Sequence, residues 1–264
     1  ISGVSVTGEL SDGMVGVDND SSIETLNLNS SSRFKLLSDV SLTVQNLFEV
    51  PQNKSMELIG TDNGTLILGD QLTLSGILKF SSPGTISNGI LALSGGTLVV
   101  NEDFSVSSDI SHIDDSNINV TETKILSYSG EEIEIGSLSL TFSGGGSFEN
   151  TNNIILNEPD SILTLNEITL SKVLISEEST TGMIDVNSDS IINTFSQSVS
   201  SRLDISSGVS LRLEESFDIP ENVVLNLVGT GSGSLKLDET LTLGGNIKFD
   251  APDYSIDNGT LALN

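Results

Sequence analysis

The chain has 264 residues, with 37 Asp and Glu against ten Lys and Arg, and a formal charge of −27. Such a surface repels nucleic acid, which is bound through Lys and Arg, and anionic lipid as well; no apolar stretch approaches the roughly 20 residues that span a bilayer. Cysteine is absent, so neither a disulfide nor a thiolate metal site is available to the fold.

Alanine, the strongest helix former, occurs only at Ala92, Ala251 and Ala262, while Ser, Asn, Thr and Gly abound. The balance points to turn-rich β structure. The chain opens at Ile1 without Met and reads as a processed or excised portion of something longer.

Taken from the N-terminus, apolar-x-apolar dyads mark the elements. They fall at Val15/Val17, Leu42/Val44, Leu66/Leu68, Leu91/Leu93, Ile118/Val120, Leu138/Leu140, Leu163/Leu165, Ile184/Val186, Leu211/Leu213, Leu235/Leu237 and Leu261/Leu263. Alternation with period two means a strand with one face inward. The clearest stretch carries three dyads, Leu66/Leu68, Leu72/Leu74 and Leu78/Phe80, then turns at Pro83-Gly84 and Asn88-Gly89. The dyads recur about every 24 residues, which predicts an all-β fold: a β-solenoid of 24-residue coils, each with three short strands. A tandem β-sandwich also has short alternating strands, but two-sheet folds have no reason to keep that recurrence.

A longer period overlies the short one. Shifted by 169 residues the chain meets itself: Met14 on Met183, Arg33 on Arg202, Pro51 on Pro220, and Gly60-Thr61 on Gly229-Thr230. The register holds from Ile1 to Pro83 and needs one inserted residue before Asn88 meets Asn258; about 39 of 94 aligned positions are identical. The chain therefore divides into a long repeat, 1–169, and a partial second copy, 170–264, about seven coils to the repeat. A lone coil buries too few apolar side chains to fold, whereas stacked coils share one core. Apolar positions persist between copies (Phe48 and Phe217, Leu72 and Leu241, Phe80 and Phe249), while other positions drift, as Thr43 to Arg212 or Lys35 to Asp204.

Several polar groups are candidates for chemistry. His112, the one histidine, lies in "DISHIDDSN" with Asp109, Asp114 and Asp115; the stretch reads as a solvated polar loop. Acidic clusters at 18–21 and 187–190 share Asp20 and Asp189. They are acidic corners, and the place where Ca²⁺ would find oxygen ligands, although no EF-hand spacing is present. Arg33 with Arg202, and Lys79 with Lys248, read as cations whose stems lie on apolar surface and whose tips meet acids. Asn-Gly pairs at 63–64, 88–89 and 258–259 supply positive φ for tight corners. Asn29, Asn53, Asn63, Asn119 and Asn258 open Asn-x-Ser/Thr triplets, and "SGGGS" at 143–147 lacks the Lys-Ser/Thr of a phosphate loop. No polar constellation recurs as a repeated active site. The expectation is no catalytic residue, no cofactor and no metal.

The strings "GILKFSSPGTISNGILALSGGTLVV" and "GGNIKFDAPDYSIDNGTLALN" resemble repetitive bacterial surface proteins, namely β-solenoids of the filamentous-haemagglutinin type and of autotransporter passengers. The likeness is one of texture and covers nearly the whole chain. It implies a secreted, extracellular, cell-surface fibre, often adhesive. The functional expectation is a non-enzymatic structural component of such a fibre or adhesin. Its partners would be itself, by coil-on-coil or end-to-end stacking, and a ligand on a host or neighbouring cell, with no nucleic acid and no membrane insertion. The alternative is a β-helix that binds or cleaves glycans, because 37 acids supply many chance carboxylate pairs.

Overall fold

The computed structural model describes residues 5–7, 13–60, 63–177, 182–229, 231–250 and 253–264; Thr61 and Thr230 of the matched Gly-Thr pairs lie outside them. The chain divides into two compact units, Ile1–Glu131 and Glu132–Asn264. Both are all-β and wound as parallel β-solenoids, with no helix among the described residues. The sequence-repeat boundary at 169/170 falls inside strand Thr169–Glu177 of the second unit.

In the first unit, one face stacks Gly13–Val17, Ser32–Leu36, Ser55–Gly60, Ile77–Phe80, Thr97–Val100 and Ser116–Val120. A second stacks Ser21–Ile23, Ser41–Val44, Gly64–Leu68, Gly84–Ser87, Phe104–Val106 and Ile125–Tyr128. A third stacks Phe48–Val50, Gln71–Leu74, Ile90–Ser94 and Asp109–Asp114. A coil that always turns the same way returns each strand over its predecessor in the same direction, so the pairings are parallel.

The second unit repeats the plan. Its first face runs through Ser139–Ser143, Ile162–Asn166, Met183–Val186, Ser201–Ile205, Val224–Val228 and Asn246–Phe249. Two long strands of its second face, Thr169–Glu177 and Ser190–Gln197, continue round the corner. Ser147 pairs with Thr169 but Asn153 pairs with Leu174, and the backbone bends at Lys172, where φ is +58°.

Register ties the two copies together. On the first face Met14 pairs with Arg33, Ser32 with Met56 and Ser55 with Ile77, steps of 19, 24 and 22 residues. In the second copy Met183 pairs with Arg202, Ser201 with Leu225 and Val224 with Asn246, again 19, 24 and 22. The mean coil is about 21 residues, shorter than the 24 read from the dyads. The dyads slide between faces: Val15/Val17 lies on the first, Leu42/Val44 on the second, Leu91/Leu93 on the third and Ile118/Val120 on the first again. Each slide adds about a third of a coil to the apparent spacing. Among the described residues, eight first-face strands accordingly precede residue 169, not seven.

The core is a set of apolar columns. Phe34, Leu58, Phe80, Val100 and Val120 stand over one another on the first face, and Leu66, Ile86, Val106 and Tyr128 on the second. All are buried. Phe80 stacks on Phe104 of the next coil at 3.6 Å between ring centres. In the second copy, where Leu203 and Leu225 stand at the positions of Phe34 and Met56, a cavity of about 10 Å³ lies among aliphatic side chains, Phe195 and Phe217; its lining is wholly apolar.

Phe80 is covered by a following coil and fully buried, whereas its counterpart Phe249 is 50% exposed. Phe80→Ala is expected to lower stability by about 3–5 kcal/mol, and Phe249→Ala by less than half of that. Urea unfolding of the two variants in the full chain checks the asymmetry.

Candidate functional site

Several of the polar identities shared between the copies sit at corners, where they complete the hydrogen bonding between coils. Oδ1 of Asp20 accepts from the amide of Ser41 at 2.8 Å and from its hydroxyl at 2.9 Å. Asp189 does the same for Ser210, at 2.7 and 3.0 Å. Ser31 Oγ accepts from the amide of Ser55, and Ser200 Oγ from that of Val224, both at 3.0 Å. Pro51 and Pro220 each open a turn closed by the amide of Lys54 or Val223, with Asn53 and Asn222 left-handed at φ 62° and 66°. A strand's first N–H, lying where the ladder bends, finds its acceptor on the coil below. The two Ser41 donors hold the Asp20 carboxyl below its ordinary range.

The candidate calcium ligands are thus bound into the scaffold, and among the described residues no three His, Asp or Glu side chains gather as a metal ion requires. Asp109 accepts from the amide of Glu131 at 3.1 Å, and Asp114 from that of Asp115 at 2.9 Å. His112 is in a strand, Asp109–Asp114, not a loop. It pairs with Leu93 and continues the inward column of Val50, Leu74 and Leu93. The column ends in a register shift after Leu93.

The matched cations differ in partner. Lys79 Nζ lies 3.1 Å from Glu57, its neighbour in the ladder, and Arg33 flanks Glu57 on the other side. The Ser81 hydroxyl above all, then Lys79, holds the Glu57 carboxyl low. In the second copy Glu57 becomes Asn226, and Lys248 turns to Asp250 at 2.8 Å. Arg212 clasps Asp238 with two nitrogens. The Asn-Gly corners divide: Asn88-Gly89 and Asn258-Gly259 are left-handed at both residues, Asn63-Gly64 only at Asn63. At Gly89 a side chain would collide with the carbonyl of Asp70. Gly144 and Gly145 of the "SGGGS" string make the corner between Ser139–Ser143 and Ser147–Asn150.

Three features escaped the sequence reading. Tyr128 Oη accepts from the buried amide of Ile110 at 3.0 Å, and burial pushes its phenol up to about 12. Tyr254 lies in the stretch where the second copy has one residue more. Its hydroxyl accepts from the amide of Ile205 at 2.8 Å and faces the carbonyls of Ile205 and Val228 and Oδ1 of Asp204. Asp204 also stands directly over Asp185, and burial, then that like charge, raises its carboxyl. The third is the last coil. Phe249 and Leu261 are each 50% exposed and Leu263 78%, whereas their first-copy counterparts Phe80, Leu91 and Leu93 are fully buried.

Comparison with models of protein families, with curated proteins and with solved structures finds no match. At the corners, Asp20, Asp189, Ser31 and Ser200 join coil to coil.

Two substitutions separate opposite pH effects. Asp20 titrates lower in the folded chain, so its contribution is full above the ordinary carboxylate range and is lost as pH falls through the lowered value. Asp204 titrates higher, so its contribution is full below that range and is lost as pH rises through the raised value. Asp20→Asn is expected to lower the urea midpoint near about pH 7 and leave it unchanged near about pH 2. Asp204→Asn is expected to raise the midpoint near about pH 7 and leave it unchanged near about pH 3. Urea titrations across the range test both signs.

Proposed function

We propose that the protein is a non-enzymatic, load-carrying segment of an extracellular surface fibre or adhesin, displayed on a bacterial cell. The observation that supports this most is the repetition of the 19, 24 and 22 residue steps in two copies. The polar pairs retained with those steps (Asp20 to Ser41, Asp189 to Ser210) join coils, while outward positions such as Thr43 and Arg212 drift. A chain under selection for a reaction keeps its reacting groups; this one keeps its joints. Length comes from the number of coils, stiffness from hydrogen-bonded ladders and solubility from the outward acids. The partners are further solenoid segments, stacked coil on coil, and a ligand on a host or neighbouring cell. The resemblance to haemagglutinin-type and autotransporter solenoids agrees with this reading.

Electron microscopy of cells displaying the protein is expected to show thin uniform filaments. The purified chain, incubated with a panel of polysaccharides, is expected to leave their length unchanged. Shortening of any polysaccharide overturns the non-enzymatic reading in favour of a glycan-cleaving β-helix.

A further inference from the structure

One side of the first unit is free of acidic and basic residues. In a chain of charge −27, the second-face strands Ser21–Ile23, Ser41–Val44, Gly64–Leu68, Gly84–Ser87, Phe104–Val106 and Ile125–Tyr128 contain no Asp, Glu, Lys, Arg or His. The first-face strands of this unit contain Arg33, Lys35, Glu57 and Lys79, and the third-face strands Glu49, Asp109 and Asp114. The second copy does not keep this neutrality: Thr43, Ile67 and Ser87 recur as Arg212, Lys236 and Asp257.

What replaces charge on this side is a grid of hydroxyls. Ser41, Thr65, Thr85, Ser105 and Ser127 stand over one another. A second column beside it holds Ser22, Thr43, Ile67 and Ser87. Rows repeat about every 4.8 Å along the ladder, and the two columns lie about 6.6 Å apart along the strand. All of these side chains are at least partly exposed. Among the described residues, none hydrogen-bonds the hydroxyls of Thr65, Thr85, Ser105 or Ser127, whereas that of Ser41 is held by Asp20. The flanking acids are engaged at the corners: Asp20 accepts from the amide of Ser41, and Asp103 from that of Ile125 at 3.0 Å.

A hydroxyl both donates and accepts, so a surface of hydroxyls is complementary to itself. Net negative charge opposes the approach of two copies elsewhere; on this side no charge stands in the way. Turned by a two-fold rotation, the face meets its own twin, with the same spacing on both sides of the contact. Six strands at about 4.8 Å and about four residues of width give roughly 300 Å² per copy and about 600 Å² for the pair, half or less of what a stable complex of two free chains buries. Such a contact is weak singly and strong where many segments act together.

We propose that the hydroxyl face of the first unit binds the same face of a second copy of this chain, and that rows of such contacts hold fibres side by side. This rests on the reading of the protein as a fibre segment and adds the side by which one fibre grips the next.

Beads coated with the full chain test it. They are expected to clump at about 0.15 M salt, where exposed charges more than about 8 Å apart are screened, and to clump more slowly at about 0.01 M. Thr65→Glu, Thr85→Glu and Ser105→Glu together set like charge against like, and are expected to slow clumping about tenfold or more. Thr97→Glu, Val99→Glu and Ser111→Glu add the same charge to the other two faces and are expected to leave the rate nearly unchanged. Beads with Thr65→Lys, Thr85→Lys and Ser105→Lys, mixed with the Glu beads of the same positions, are expected to clump across the two kinds faster than either does with unmodified beads; a misfolded chain gives no such rescue. Beads that stay dispersed overturn the proposal. So does clumping that the Glu substitutions at 65, 85 and 105 leave intact, clumping that weakens as salt rises, or clumping that needs an added neutral polysaccharide, which assigns the face to that ligand instead. Sedimentation of the free chain at micromolar concentration is expected to show a monomer, and a dimer that survives the same Glu substitutions overturns the choice of face. These readouts use purified protein, so their failure is distinct from a failure to find filaments on cells.

Discussion

Everything in this molecule follows from the parallel hydrogen-bonded ladder between successive coils. A strand of three to six residues has too few bonds and too little apolar surface to persist alone. It persists because the strand before and the strand after offer complementary backbone groups in the same direction, coil after coil. Parallel pairing also sets like positions over like, so one inward residue type becomes a column. Phe34, Leu58, Phe80, Val100 and Val120 are one such column, and its continuity is a core that no individual coil possesses.

The same ladder explains the distribution of polar residues. Where the backbone bends from one face to the next, the ladder loses alignment and donors are left over. Asp, Ser and Asn side chains supply acceptors at those bends, as Asp20 does for Ser41 and Ser200 for Val224. An acidic corner in this chain is therefore a structural joint first. Much of the −27 charge lies outside those joints, where like charge opposes association of the chains.

The β-solenoid was legible in the sequence because period-two alternation and self-alignment are local and additive signals. The coil length was less so: the dyad at Leu42/Val44 and that at Leu91/Leu93 lie on different faces, and nothing in linear sequence says which face a dyad occupies. The corner joints were invisible for a related reason. Asp20 and Ser41 are 21 residues apart, and their partnership exists only once the coil length is known. His112 looked like part of a polar loop because Asp114 and Asp115 follow it, yet its pairing with Leu93 places it in a column. The different exposure of Phe80 and Phe249 could not be read at all, since they are the same residue in nearly the same string and only their surroundings differ.

The extra residue between Pro252 and Ser255 has a wider consequence. Thr65 pairs with Thr85 in the first copy and Ser234 with Ser255 in the second, so the added residue leaves the alignment of the following strand untouched. An insertion inside a strand would turn every later side chain of that strand inside out, but the next bend restores parity. Faults of copying are thereby confined to one side of one turn of the winding. A lineage of such proteins can accumulate changes of length at its bends while its interior stays sealed, which lets the exterior vary quickly on a frame that hardly varies.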